Sequence, residues 1–158
     1  MNAKLSIRLA TLANVPAMML LINAAFIETF LEGNRTNAQQ LTDMMQKGSF
    51  LLGFRSSGEL VASMFVKVQG ERGYFGMLAV APLHQGKGFA RQMVAAAESY
   101  CREQGCTAMD LTVLSLRPEL PPLYSKLGYI ETGTEEFHPT RPLKPGQACH
   151  CIVMSKPL

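Results

Sequence analysis

Gly76-Met77-Leu78-Ala79-Val80-Ala81-Pro82-Leu83-His84-Gln85-Gly86-Lys87-Gly88-Phe89-Ala90-Arg91 is the stretch around which the chain is organised. It reads as a buried strand ended by Pro82, a glycine-rich turn, and the start of a long helix. Gly86 and Gly88 let backbone N–H groups face a ligand with no Cβ in the way. The helix N-terminus beyond them adds unpaired donors and about half a positive charge. Lys87 and Arg91 are cations at that same end, where the helix dipole disfavours them by ~0.3–1 kcal/mol each. A bound anion relieves the conflict, so the pattern predicts a phosphate-bearing ligand on this turn.

Working outward, 158 residues predict one domain spanning 1–158, long enough for a core without staples. A hydrophobic content of 47% with 17% charged residues argues against disorder. The net charge of +3 comes with no basic stripe, which argues against nucleic acid as a partner. Cys101, Cys106, Cys149 and Cys151 are too few and scattered for a disulfide framework and read as free thiols of a reducing compartment. No basic n-region precedes an apolar run at the N-terminus, and the Val15–Phe30 stretch is interrupted by Asn23 and Glu28 and too short to span a bilayer. The expectation is a cytoplasmic protein with no membrane partner.

Leu5 to Leu9 reads as a first strand. Asn14 then caps a helix with Pro16 in its first turn, and Val15, Met18, Met19, Ile22, Phe26 and Phe30 recur at helical spacing until Gly33-Asn34. Asn37 opens a second helix, with Gln40 three residues on and Gly48 in the C′ position. Phe50–Phe54, Leu60–Val68 and Tyr74–Val80 are strands joined by short turns, hence an antiparallel meander. A helix from Gly88 to Glu103 presents Phe89, Met93, Val94, Ala97 and Cys101 on one side, with Glu98 and Arg102 as an i,i+4 pair. The Met109–Leu114 strand after it should run parallel to the strand before it. A short helix over Arg117–Leu127, compromised early by its prolines, a Tyr129–Thr132 strand, a loop over 134–148 and a His150–Ser155 strand complete the chain.

Two common phosphate loops fail on this turn. A P-loop needs Ser or Thr after its lysine, but Gly88 follows Lys87. A dinucleotide fingerprint needs a third glycine near the first strand, and Arg91 stands there, after four strands. What remains is Gln85-x-x-Gly88-x-Ala90 after a Leu-Ala-Val strand end. It resembles the coenzyme A pyrophosphate loop of the GNAT N-acetyltransferase superfamily, Q/R-x-x-G-x-G/A. Pro122-Leu123-Tyr124-Ser125-Lys126-Leu127-Gly128-Tyr129 resembles that family's second motif, a helix ending in Y-x-K-L-G-[FY], and the element order is similar from Leu5 nearly to the C-terminus.

The resemblance implies a mixed α/β fold: a mostly antiparallel sheet of about seven strands, helices on both faces, and a splay between the fourth and fifth strands. It implies acetyl-CoA as cosubstrate, laid along Leu78-Ala79-Val80, whose Leu78 and Val80 backbone groups meet the pantetheine arm. Gln85, Gly86, Lys87, Gly88, Phe89, Ala90 and Arg91 would wrap the pyrophosphate. The oxyanion would meet a backbone N–H at the Leu78 end of the strand, and Tyr124 would stand near the sulfur as general acid.

The acceptor amine must react unprotonated, and a lysine-like amine is neutral in only about one molecule in ~2,500 at pH 7. Many family members place a glutamate four residues before the Leu78 position, but this chain has Tyr74. Glu28, Glu32, Glu71, His84 and His138 are candidate bases, and the residues alone select none of them. Arg117 occupies a position where asparagine is frequent in the family. Cys149-His150-Cys151 alternates across a strand and finds no fourth ligand, so it reads as two core cysteines around a surface histidine, and no metal is expected.

The acceptor is expected to be a small-molecule amine or a peptide or protein amine, between walls at 26–37 and 134–148, with a homodimer allowed. Glu28, Glu32, Glu135 and Glu136 tilt the expectation toward a cationic amine, against Arg35, Arg141 and Lys144. The rival reading is a non-catalytic acyl-CoA-binding module, and O-acyl transfer would use the same residues.

Overall fold

Along β2 (Ser49–Phe54), Phe50, Leu52 and Phe54 alternate with Leu51 and Gly53, and both sets are buried. Period-two alternation sends them to opposite faces, so this strand is covered on both sides. One set packs with Val15, Met18 and Ile22 of α1 (Val15–Ala25) and Leu41 of α2 (Ala38–Lys47). Leu51 packs with Phe89, Met93, Val94, Ala97 and Cys101 of α3 (Phe89–Glu103). Two apolar cores thus flank one sheet.

The computed structural model describes residues 4–26, 35–137, 143, 145–146 and 148–158. The remaining strands are β1 (Ser6–Leu9), β3 (Leu60–Gln69), β4 (Arg72–Val80), β5 (Ala108–Leu114), β6 (Ile130–Glu136) and β7 (His150–Pro157), with α4 at Leu120–Ser125. The seven strands lie in the order β1-β2-β3-β4-β5-β7-β6. All neighbours pair antiparallel except β4 and β5, joined in parallel through α3. The expected mixed sheet with helices on both faces is therefore observed.

Several local expectations are corrected. A 3-10 turn at Leu12–Asn14 precedes α1, so Asn14 is already helical and its side chain accepts from Thr11 N–H at 2.8 Å instead of capping α1. The described part of α1 ends at Ala25, and Phe30 and Gly33-Asn34 lie outside the described residues. Asn37 caps α2 as read, accepting from Gln40 N–H at 2.8 Å. Gly48 ends α2 in an extended conformation, not a left-handed one; a Cβ there would meet the Val66 carbonyl at 2.5 Å.

Glu98 does not pair with Arg102. It turns inward, accepting from the Tyr129 hydroxyl at 2.7 Å and pairing with Lys156 Nζ at 3.1 Å. α4 starts only at Leu120, which puts Pro121 and Pro122 in its first turn, where a missing N–H costs little. β6 runs on to Glu136 through residues expected to be loop. Its side chains are exposed throughout, so no apolar alternation announces it, and backbone pairing with β7 holds it.

Candidate active site

The β4–β5 ladder is short: Arg72, Gly73 and Tyr74 face Ala108, Met109 and Asp110, and pairing stops there. The closed end is clamped by Arg72, whose Nε and Nη2 donate to Asp110 at 2.8 and 2.6 Å, while Ser155 Oγ donates to the same carboxylate at 2.6 Å. These bonds hold the Asp110 carboxyl below its ordinary pKa, the Arg72 hydrogen bond being the largest influence. Beyond the clamp β4 stays with β3 as far as Val80, and β5 stays with β7 as far as Leu114, so the two strands part.

A bulge re-aims β4 where it opens. Ser63 pairs with Ala79 and Phe65 with Gly76, so three steps on β4 oppose two on β3. Met77 absorbs the extra residue at φ 50°, the one non-glycine with positive φ among the described residues. A side chain pays strain for that backbone, which is consistent with a site that needs its peptide groups turned. Leu78, directly after it, has its side chain packed at the edge of the α3 core.

The splay opens into a cavity of about 330 Å³. Gly76, Met77 and Leu78 line one side, Thr112 and Val113 the other, and Tyr124 and Arg117 come from the α4 region. A second hollow of about 60 Å³ lies against α3 and is lined by Leu78, Ala90, Arg91, Val94, Tyr124 and Leu127. Leu78 and Tyr124 are common to both, so they stand between the cavity and the first turn of α3.

Tyr124 is 7% exposed, its ring packed against Phe75 and Tyr129 at centroid distances of 5.9 and 6.3 Å. Among the described residues no hydrogen bond engages its hydroxyl. Burial pushes its pKa up to about 12, opposed by the positive charge of Arg117 and assisted by Tyr74.

The glycine-rich turn has the anticipated backbone. Gly86 and Gly88 adopt φ of 79° and 82°, and Gly88 is the N-cap of α3. No side chain caps this helix and no acid lies in its first turn, so its end presents backbone donors with Lys87 and Arg91 beside them. Gln85 Nε2 donates to the Val80 carbonyl at 3.1 Å, tying the turn to the strand end. Lys87 Nζ meets His84 Nδ1 at 3.1 Å, and His84 Nε2 lies 3.4 Å from Glu59. Phe89 is buried in the core and Ala79 points into the α1–α2 cluster, so any role of these two in binding would be through their backbone.

Tyr74, in the glutamate position, places its hydroxyl 3.3 Å from Thr112 Oγ1 across the splay. Among the other candidate bases, Glu71 sits in the β3–β4 turn at the clamped end, and His84 is held by Glu59 and Lys87; neither lines the cavity. Glu28, Glu32 and His138 lie outside the described residues, as do Arg141 and Lys144. Cys149 and Cys151 are half-buried rather than core, because β7 borders the cavity at this end: Cys151 lines it, while Ser115 Oγ accepts from His150 N–H at 3.0 Å. All four cysteines are free thiols, and among the described residues no cluster of His, Cys, Asp or Glu could hold a metal ion. Among the same residues no helix is long and apolar enough to cross a membrane. Phe26 and Arg35 line the cavity from the 26–37 segment and Phe137 from the 134–148 segment, the two stretches read as acceptor walls, and Thr112 lines it from β5.

A family model described as the acetyltransferase (GNAT) domain matches residues 18–139. The chain belongs to the GNAT acetyltransferase family. No curated protein sequence matches it. Among solved structures it is similar to ribosomal-protein-alanine N-acetyltransferase from Brucella melitensis (21% identity, TM-score 0.76, 97% of this chain and 99% of that one). It is also similar to spermidine N-acetyltransferase from Vibrio cholerae in complex with CoA and spermine (19%, 0.77, 98% and 95%). A third is the phosphinothricin acetyltransferase from Sinorhizobium meliloti in complex with AcCoA (13%, 0.77, 98% and 89%). At such identities the likeness is one of fold.

Proposed function

We propose that this chain is an N-acetyltransferase that moves the acetyl group of acetyl-CoA directly to an amine. The reading rests above all on Leu78 and Tyr124, which line both the cavity in the splay and the hollow beside the α3 N-terminus. A ligand with its phosphates on that helix end has a route into the cavity past these two residues. The donors of the first turn of α3, uncapped by any side chain, with Lys87 and Arg91 beside them, fit a pyrophosphate. Acetyl-CoA supplies an activated thioester carbonyl. Leu78 and Val80 offer the backbone groups along which the pantetheine arm lies, as Gln85 to Arg91 wrap its pyrophosphate.

The peptide N–H at Leu78, next to the bulge at Met77, receives the carbonyl oxygen as it becomes an oxyanion. Tyr124 donates to the departing thiolate. Its raised pKa of about 12 keeps the hydroxyl protonated at neutral pH. Complete transfer to an alkyl thiolate of pKa near ~8.5 is uphill by about 5 kcal/mol. Tyr124 therefore acts chiefly as a hydrogen-bond donor to the growing charge. The proton that ends on sulfur is balanced by the one the acceptor nitrogen sheds.

Two measurements test the proposal. Acetyl-CoA at ~100 times its dissociation constant should stabilise the fold by about 2.7 kcal/mol. Thiol release should then depend on an amine from a panel of small amines and peptides. No thermal shift at millimolar acetyl-CoA overturns the cosubstrate assignment; a shift without turnover on any amine leaves a non-catalytic acyl-CoA-binding module.

A further inference from the structure

Among the described residues, the charges that line the cavity run against the cationic acceptor that the glutamates of the flanking segments suggest. Among the described lining residues the only ones that carry formal charge at neutral pH are Arg35 and Arg117. Glu135 lines an adjoining groove with Lys67, Arg72 and Asp110 that shares Tyr74, Leu111 and Thr112 with the cavity, and its charge is felt at Cys151. Glu136 is an exposed residue of β6 outside the cavity lining. Arg35 lies over the Phe26 ring at 5.5 Å, so one wall offers a guanidinium braced on an aromatic face. Arg117, which also pairs with Glu119, is near enough to the Tyr124 hydroxyl for its charge to be felt there.

The geometry points to an acceptor that carries an anionic group close to its reacting nitrogen, a small amino carboxylate, with Arg35 and Arg117 binding the carboxylate. This rests on the acetyltransferase reading and adds the acceptor class to it. A guanidinium is a planar fork of donors matched to a carboxylate. About 330 Å³ lies at the lower end of the ~300–1,000 Å³ usual for small-molecule pockets, which suits a compact acceptor. Because Arg117 and Tyr124 line the same small cavity, a carboxylate bound to Arg117 suits an acceptor with only a short link to its nitrogen.

The same charges bear on the missing acid. The guanidiniums among the described lining residues, Arg117 with its Glu119 partner included, favour a neutral amine over an ammonium ion. A glutamate at the Tyr74 position would do the reverse, stabilising the ammonium until it had taken the proton. Polyamines, with several positive charges and no anion, fit such a cavity poorly.

The experiment compares amino acids with their amides and their decarboxylated amines as acceptors, with spermidine as the cationic control, by thiol release from acetyl-CoA. At least one amino acid should exceed its own amide tenfold or more in kcat/KM. Arg117→Gln and Arg35→Gln should each raise the KM for that amino acid at least tenfold, raise the KM for its amide far less, and retain the acetyl-CoA thermal shift. Equal use of acid and amide, preference for spermidine, or full discrimination in both variants overturns the acceptor inference. These results leave the transferase reading standing, whereas loss of the acetyl-CoA shift in the unmodified protein overturns both.

Discussion

Replacing Tyr124 by Phe separates catalysis from stability because the variant should lose rate while its stability at neutral pH barely changes. The ring stays packed against Phe75 and Tyr129, so the variant keeps its apolar contacts. The hydroxyl removed faces the cavity and has no hydrogen-bond partner among the described residues, so its loss should change stability at neutral pH by less than ~1 kcal/mol. A hydrogen bond to a charged group contributes about 1.5–3 kcal/mol, which as transition-state stabilisation predicts a fall in kcat of roughly 10- to 150-fold. The KM for acetyl-CoA should barely move.

There is a pH signature as well. The hydroxyl titrates near 10 when unfolded and at about 12 in the fold, so its contribution is complete below pH 10 and is lost as pH rises to about 12. The sign follows because the native state holds its proton longer. Two units correspond to about 2.7 kcal/mol, so Tyr124→Phe should gain roughly that much stability relative to wild type across the window. Steady-state thiol release and urea unfolding at a series of pH values read both effects. A kcat within twofold of wild type would refute the role given to Tyr124. A clear loss of stability at pH 7 would refute the claim that its hydroxyl is unpartnered.

The clamp, the buried carboxylate and the closest glycine give three more predictions. Asp110→Asn removes the charge that Arg72 and Ser155 meet and should cost ~1 kcal/mol, since Arg72 is more than half exposed. The folded pKa of Asp110 is depressed, so this contribution exists above the unfolded value and disappears as pH falls through the folded one; acid titrations of the two proteins should converge there. Glu98→Ala leaves the Tyr129 hydroxyl buried and Lys156 unpaired, and chemical denaturation should register a loss of ~3 kcal/mol. Gly73→Ala would put a Cβ 2.6 Å from Cys101 Sγ, so α3 must shift from the sheet, with a thermal-melt loss equivalent to ~1–3 kcal/mol.

Much of this protein was legible in its residues because the governing interactions are local. The period of α3, the alternation of β2, the Asn37 cap and the open backbone at Gly86 and Gly88 depend on neighbours a few positions apart, and each is observed. The parallel β4–β5 pair followed from the length of the connection through α3. Where the reading failed, a distant partner had decided the matter. Glu98 faces inward because Tyr129 and Lys156 wait there, and Gly48 is extended because the backbone of Val66 comes close.

The strand–turn–helix stretch from Gly76 to Arg91 determined by itself a glycine-rich turn opening a helix, and with it the family resemblance. Glycine dihedrals, a proline stop and a helix start are written in adjacent residues. Only the tertiary structure decided what lies opposite. The splay depends on pairing that ends at Tyr74 and Asp110, the bulge depends on how β3 is registered against β4, and Arg35 and Arg117 meet one cavity from segments far apart in the chain. A cavity belongs to the packing of several elements at once, so its charge cannot be read from any one of them.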